Sequence, residues 1–193
     1  MDREARQYWR GQRRQMLRRD RQRGGGYSGF LVTKILIALM VLTFLVEMFD
    51  PAIITEMTQG TAGLVLTLFL SALSPGGFLG LLFAGVFLWI IGSQLESLAN
   101  WWQYLLIFFG SGICGGLISW VLGAGLIGGT FAAFGLAGAY VMAMANRRVG
   151  GMAQWAILLL AINVVLSGFR PGVLGGMLGA FFAGLLIARV ARL

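Results

Sequence analysis

Any chemistry in this chain has to be arranged without histidine, because none of its 193 residues is one. That excludes every mechanism relying on an imidazole base or ligand. With a single cysteine, it also leaves no donor set for zinc or copper. Cys114 lies inside an apolar segment, cannot form an internal disulfide and reads as a small packing residue. No metal and no cofactor are expected. Three ionisable residues interrupt the apolar stretches: Lys34, Glu47 and Glu96. Such residues are functional candidates by default. Glu96 follows Gly92 by four residues within Leu88-Trp89-Ile90-Ile91-Gly92-Ser93-Gln94-Leu95-Glu96. It is expected at a helix boundary, hydrogen-bonded to neighbouring loop backbone in a structural role. Small residues recur at helical spacing in Gly175-x-x-x-Gly179 and Gly176-x-x-x-Ala180-x-x-x-Gly184. That spacing makes a smooth face for another helix. The expected partner is the stretch carrying Gly135, Gly138 and Ala139, with dimerisation as the alternative.

The elements that must position these residues follow from hydropathy. Hydrophobic residues make up 58% of the chain and charged residues 11%, against about 25% charged in a soluble domain. Nine of the fifteen Lys and Arg lie within residues 1–23. A crossing helix needs about 20 apolar residues. Six stretches qualify: Phe30 to Phe49, Phe78 to Leu98, Trp101 to Leu122, Leu126 to Ala145, Met152 to Leu166 and Val173 to Val190. Ala62 to Leu73 is too short and reads as an interfacial helix in a loop. With six spans, Arg147, Arg148, Arg189 and Arg192 share the side of the arginine-rich N-terminus, and only Arg170 falls opposite. A seventh span would reverse that balance, so the positive-inside rule selects six spans with both ends cytoplasmic. Trp101, Trp102 and Tyr104, with Trp155, are expected in an aromatic belt at the cytoplasmic interface. The predicted organisation is a basic tail with a Gly-rich joint over 1–29 and a six-helix membrane domain over 30–193. The tail does not have the form of a secretory signal.

Two stretches carry more than hydropathy. One is Leu88 to Glu96. The other is Gly128-Gly129-Thr130-Phe131-Ala132-Ala133-Phe134-Gly135-Leu136-Ala137-Gly138-Ala139-Tyr140. With six helices and a long first external loop, they resemble the rhomboid family of intramembrane serine proteases. The family's second helix carries G-x-x-x-E, matched by Gly92 and Glu96. Its fourth helix opens with G-x-S-G and continues F-G-L-x-G-A, matched in its trailing part by Phe134 to Ala139 after Gly128. Its sixth helix carries H-x-x-G-x-x-x-G, whose frame is met in part by Val173 to Ala180, with Gly175, Gly176 and Gly179. The resemblance implies an all-α, six-helix rhomboid-like bundle with an interfacial helix in the first external loop. It also locates departures. The nucleophile position holds Thr130, followed by Phe131, and the catalytic His position holds Val173. The positions of the oxyanion-site His and Asn hold Gly80 and Ala84. Gly63 and Leu64 stand nearest the family's W-R motif.

An alcohol nucleophile needs a partner base. Lys34 and Glu96 are placed on the order of 20 Å from Thr130 by helical rise. Glu47 is at the correct depth, but nothing places it beside Thr130. No catalytic residue is therefore expected, and Thr130, Val173, Gly80 and Ala84 are expected to surround a packed apolar plug. The expected function is that of a rhomboid-like pseudoprotease, which binds membrane-protein partners or perturbs lipid without cleavage. The alternatives are a divergent serine/threonine-type intramembrane endopeptidase using Thr130 and a small transporter. The expected setting is a bacterial cytoplasmic membrane, with single-span membrane proteins as clients. Arg10, Arg13, Arg14, Arg18 and Arg21 of the tail are expected to meet anionic lipids of the inner leaflet. The net charge of +8 is ascribed to the membrane, and no nucleic acid is expected.

Overall fold

The structure is a computed structural model that describes residues 30–49, 61–124, 128–147 and 170–193, with Gln154, Leu158 and Ala161. Six long helical elements follow in order. They are α1 (Leu31–Phe49), α2 (Thr61–Leu73), α3 (Phe78–Leu98), α4 (Trp101–Val121), α5 (Gly129–Asn146) and α6 (Pro171–Val190). Within α3, residues Leu88–Gly92 form a π-helical turn between two α-helical stretches. Residues Val32–Leu193 form one unit; of the preceding unit only Phe30 and Leu31 are described. The tail arginines and Trp155 lie outside the described residues. So does the expected fifth span, apart from the three isolated positions.

Local chemistry sets the helix ends. Gly76 and Gly77 adopt φ of 69° and 128° in the turn from α2 to α3, where a side chain would be strained. Asn100 and Gln103 form a reciprocal capping box at the start of α4. Pro171 opens α6 where its missing N–H costs nothing.

Four described helices, α1, α3, α4 and α6, are long and apolar enough to cross a membrane. α2 has thirteen residues and so spans about 20 Å, short of the about 30 Å hydrocarbon core. α5 has eighteen residues, was expected as a span, and is not among the four. The reason is composition: it is built largely of Gly and Ala and ends on Asn146. Apart from half-buried Thr130, every residue from Gly129 to Tyr140 is buried. A helix enclosed by protein does not need lipid-compatible side chains. It needs small ones that admit its neighbours.

Those neighbours come close. α4, α5 and α6 pack tightly on one another, α2 rests on α4 and α5, and α3 lies against α5. A Cβ at Gly184 would collide with the backbone of Gly135, and one at Gly138 with the Phe181 carbonyl. A Cβ at Gly115 would lie 2.7 Å from the Gly176 carbonyl oxygen. The Gly176–Ala180–Gly184 stripe thus serves α5 and α4 together, as expected for α5. The Gly175–Gly179 stripe departs from expectation. It faces the Ile118 and Leu122 side chains of α4 instead of α5. α1 joins the core chiefly through Leu36 and Met40, which pack with Ala84, Phe87, Tyr104 and Leu136.

Trp101 and Trp102 are exposed at the start of α4 as expected, but Tyr104 is not in that belt. It is completely buried, where its hydroxyl meets that of Thr33.

Candidate functional site

The start of α5 is built on the end of α2. The Gly128 amide donates to the Ser71 carbonyl (2.8 Å), and the Gly129 amide donates to the Ser74 carbonyl (2.9 Å). The Thr130 hydroxyl donates to the Pro75 carbonyl (3.1 Å). Three donors at one helix N-terminus thus meet three carbonyls from a five-residue segment. The positive end of the α5 dipole faces the carbonyl end of α2, which is mutually favourable. Glycine is required at 128 and 129, since a Cβ at either would come within 2.6 Å of a Ser71 or Ser74 carbonyl oxygen.

The other family positions surround this junction. A Cβ at Gly80 would overlap the Pro75 carbonyl and lie 3.2 Å from Thr130 Oγ1. Gly80, Pro75 and Thr130 are therefore brought together. Ala84, one turn along α3, is fully buried in the main core. Val173 packs against a second cluster formed by Phe131, Phe134, Met177 and Ala180. The Phe131 ring is 2% exposed and lies flush on Gly176, where a Cβ would meet its Cζ at 2.7 Å. Phe134 meets Phe83 and Phe87 of α3, each with ring centroids 5.6 Å apart. Such pairs contribute about 0.5–1.5 kcal/mol beyond their burial. Among the described residues, the hydrogen bond of the Thr130 hydroxyl is to the Pro75 carbonyl, and none joins it to an ionisable side chain. Glu47 continues the inward face of α1 after Thr33, Leu36, Met40 and Thr43, but no described hydrogen bond joins it to Thr130.

The Gly92–Glu96 motif forms a separate polar site. Glu96 Oε1 accepts the Val32 amide (2.9 Å), and Oε2 accepts the Thr33 amide (2.9 Å) and the Thr33 hydroxyl (2.6 Å). The Thr33 proton is thereby committed, so the Tyr104 hydroxyl donates to Thr33 Oγ1 across 3.1 Å. Glu96 caps the first turn of α1 from another helix, where its charge also favours the helix dipole. The expected structural role holds, but its partner is a helix start and not a loop. Gly92 is explained by the same site, because a Cβ there would run into the Tyr104 hydroxyl. Thr33, Tyr104 and Pro75 were not legible as site residues. Only the 33-36-40-43 spacing of inward α1 positions hinted that Thr33 faces protein. Nearby, the Tyr140 hydroxyl donates to Gln94 Oε1, tying α5 to α3.

Apolar helices of spanning length packed around a buried small-residue helix define an integral membrane protein of the polytopic α-helical class. A family model described as the Rhomboid domain matches residues 62–192, from α2 to the turn after α6. The chain belongs to the rhomboid family. No curated protein and no solved structure matches it.

Proposed function

We propose that this rhomboid-family chain does not cleave peptide bonds and acts as a membrane scaffold, binding other membrane proteins or perturbing the lipid around them. The observation that carries this reading is the Thr130 hydroxyl, which gives its proton to the Pro75 carbonyl. A carbonyl cannot take that proton away, and among the described residues no base is hydrogen-bonded to Thr130. Two further features support the reading. The positions of the family's oxyanion side chains hold Gly80 and Ala84, which carry no donor, and the Gly128 and Gly129 amides at this helix start are bonded to the chain's own carbonyls. Losing even one such donor costs about 10²–10³ in rate. Phe131 and Val173 fill the region where a substrate backbone and a catalytic imidazole would have to enter.

In the proposed arrangement six helices cross the membrane, α2 lies in the outer interface, and both ends are cytoplasmic. The setting is a bacterial cytoplasmic membrane. Clients are single-span membrane proteins received laterally, and the arginine-rich tail rests on anionic lipid. A transporter is disfavoured because every described charged side chain lies in or beside the first or last turns of a helix, whereas a transport path needs ionisable groups at mid-membrane. The test of the central claim is labelling with an active-site-directed fluorophosphonate in detergent and in proteoliposomes. No labelling is expected. Labelling that disappears in Thr130→Ala would overturn the reading and establish a threonine-dependent protease.

A further inference from the structure

α5 and α6 end side by side, and what their ends present is cationic. Asn146 Nδ2 of α5 donates to the Leu193 carbonyl oxygen at 2.6 Å. Gln103 Nε2 of α4 donates to the Ala191 carbonyl oxygen at 3.1 Å. These bonds pin the turn after α6 between α4 and α5. Arg147 follows Asn146, and Arg192 lies between the two pinned carbonyl-bearing residues. Consecutive Cα atoms are only about 3.8 Å apart, so the extended side chains of Arg147 and Arg192 can converge over the clasp. Arg189 is one turn earlier on α6. All three arginines are exposed, and neither described acidic side chain is available to them. Of the two described acidic residues, Glu96 is committed to α1, and Glu47 sits at the other end of the bundle.

The backbone around them is unusual. The Leu193 amide bonds the Ala188 carbonyl, and the Arg192 amide bonds the Arg189 carbonyl. This is the double-bonded C-cap whose left-handed position is normally glycine. Arg192 occupies that position with φ of 57°, the only positive φ of a non-glycine residue among the described residues. In a chain with 30 glycines, an arginine stands where glycine would be unstrained. The clasp also uses the acceptors. The main-chain oxygens of Ile187, Ala188, Arg189, Ala191 and Leu193 all receive donors from the clasp itself, and the arginines are exposed beside it. Trp101 and Trp102, adjacent to Gln103, are 66% and 48% exposed, as expected of side chains at headgroup level.

We propose that Arg147, Arg189 and Arg192 form a binding site for the phosphate of an anionic phospholipid headgroup, with its acyl chains lying along the α4–α6 surface below Trp101 and Trp102. The site uses no residue of the α5 start or of the N-terminal tail, and does not depend on whether the chain cleaves peptides. Guanidinium forks match phosphate oxygens in two-point geometry. Each arginine near an anionic surface strengthens binding about fivefold.

The test is thermal unfolding of the full chain in neutral detergent with added phosphatidylglycerol, phosphatidylcholine or inorganic phosphate. Phosphatidylglycerol is expected to raise the midpoint by about 5 °C when well above its Kd. Phosphatidylcholine and inorganic phosphate are expected to give less than a third of that. The rise should be lost in the triple variant Arg147→Gln, Arg189→Gln, Arg192→Gln, whose basic tail is intact. Arg192→Gly provides the second check. It should melt higher than the parent without lipid, since the strain is relieved, yet gain less from phosphatidylglycerol. An equal lipid-dependent rise in the parent and the triple variant would overturn the proposal. So would an equal response to inorganic phosphate, which would make the site one for a free anion.

Discussion

Glu96, Thr33, Tyr104 and Gly92 act as one unit, and their contributions are separable by substitution. Glu96→Gln replaces a carboxylate that accepts three donors, and an uncompensated charge-assisted cap costs about 1–3 kcal/mol. Reversible unfolding in micelles should show that loss. Gly92→Ala should destabilise by about 1–3 kcal/mol, since the new methyl meets the Tyr104 hydroxyl in a packed site. Tyr104→Phe removes that hydroxyl. The double variant should therefore lose at least about 1 kcal/mol less than the sum of the two single variants. Strict additivity would mean that Gly92 is needed for some other reason. At this scale the sequence was partly readable. Four-residue spacing and an apolar context singled out Gly92 and Glu96. Thr33 and Tyr104 escaped because a hydroxyl in an apolar helix has no signature until its partner on another helix is known. Tyr104 was drawn to the belt by Trp101 and Trp102, although at about 100° per residue it lies about 200° around the helix from Trp102.

Among the elements, the glycines of α5 and α6 differ sharply in what surrounds them. Gly184 faces the Gly135 backbone, which cannot rotate away. Gly184→Ala should cost about 3 kcal/mol or more, measured by the same unfolding. Gly85 in α3 has nothing near the place a Cβ would occupy. Gly85→Ala should be neutral or stabilising by up to about 1 kcal/mol, through helix propensity. If both substitutions cost the same, close helix approach is not what holds this bundle. The existence of the helices was legible from hydropathy, including the short one at 61–73. Which small stripe meets which helix was not, because Gly175–Gly179 and Gly176–Gly184 have the same spacing and differ only by one step around α6. The pairing is decided by Ile118 and Leu122, bulky residues that fit over the first stripe.

For the whole molecule, the proposed topology makes a direct prediction. Reporter fusions that are active only in the cytoplasm should be active at both termini, and a fusion after Pro171 should be inactive. Opposite signs at the two termini would require an odd number of crossings. The family was legible at this scale through Gly92, Glu96 and the Phe134–Ala139 stretch, and the domain match extends over the same region. That the family's dyad positions hold Thr130 and Val173 was legible too, but the backbone contacts at the start of α5 were not. No linear pattern announces that Ser71, Ser74 and Pro75 send their carbonyls to the start of α5. That junction bears on what a change of side chains alone could achieve. A peptide substrate would have to offer its own carbonyl where the chain already supplies three. Restoring the two side chains, with Thr130→Ser and Val173→His, is expected to produce no cleavage of a transmembrane reporter, because the donors stay occupied and the Phe131 ring remains on Gly176. The junction works as a latch: side-chain changes at Thr130 and Val173 leave the Gly128 and Gly129 amides held by the end of α2, so any new chemistry there would have to displace that backbone as well.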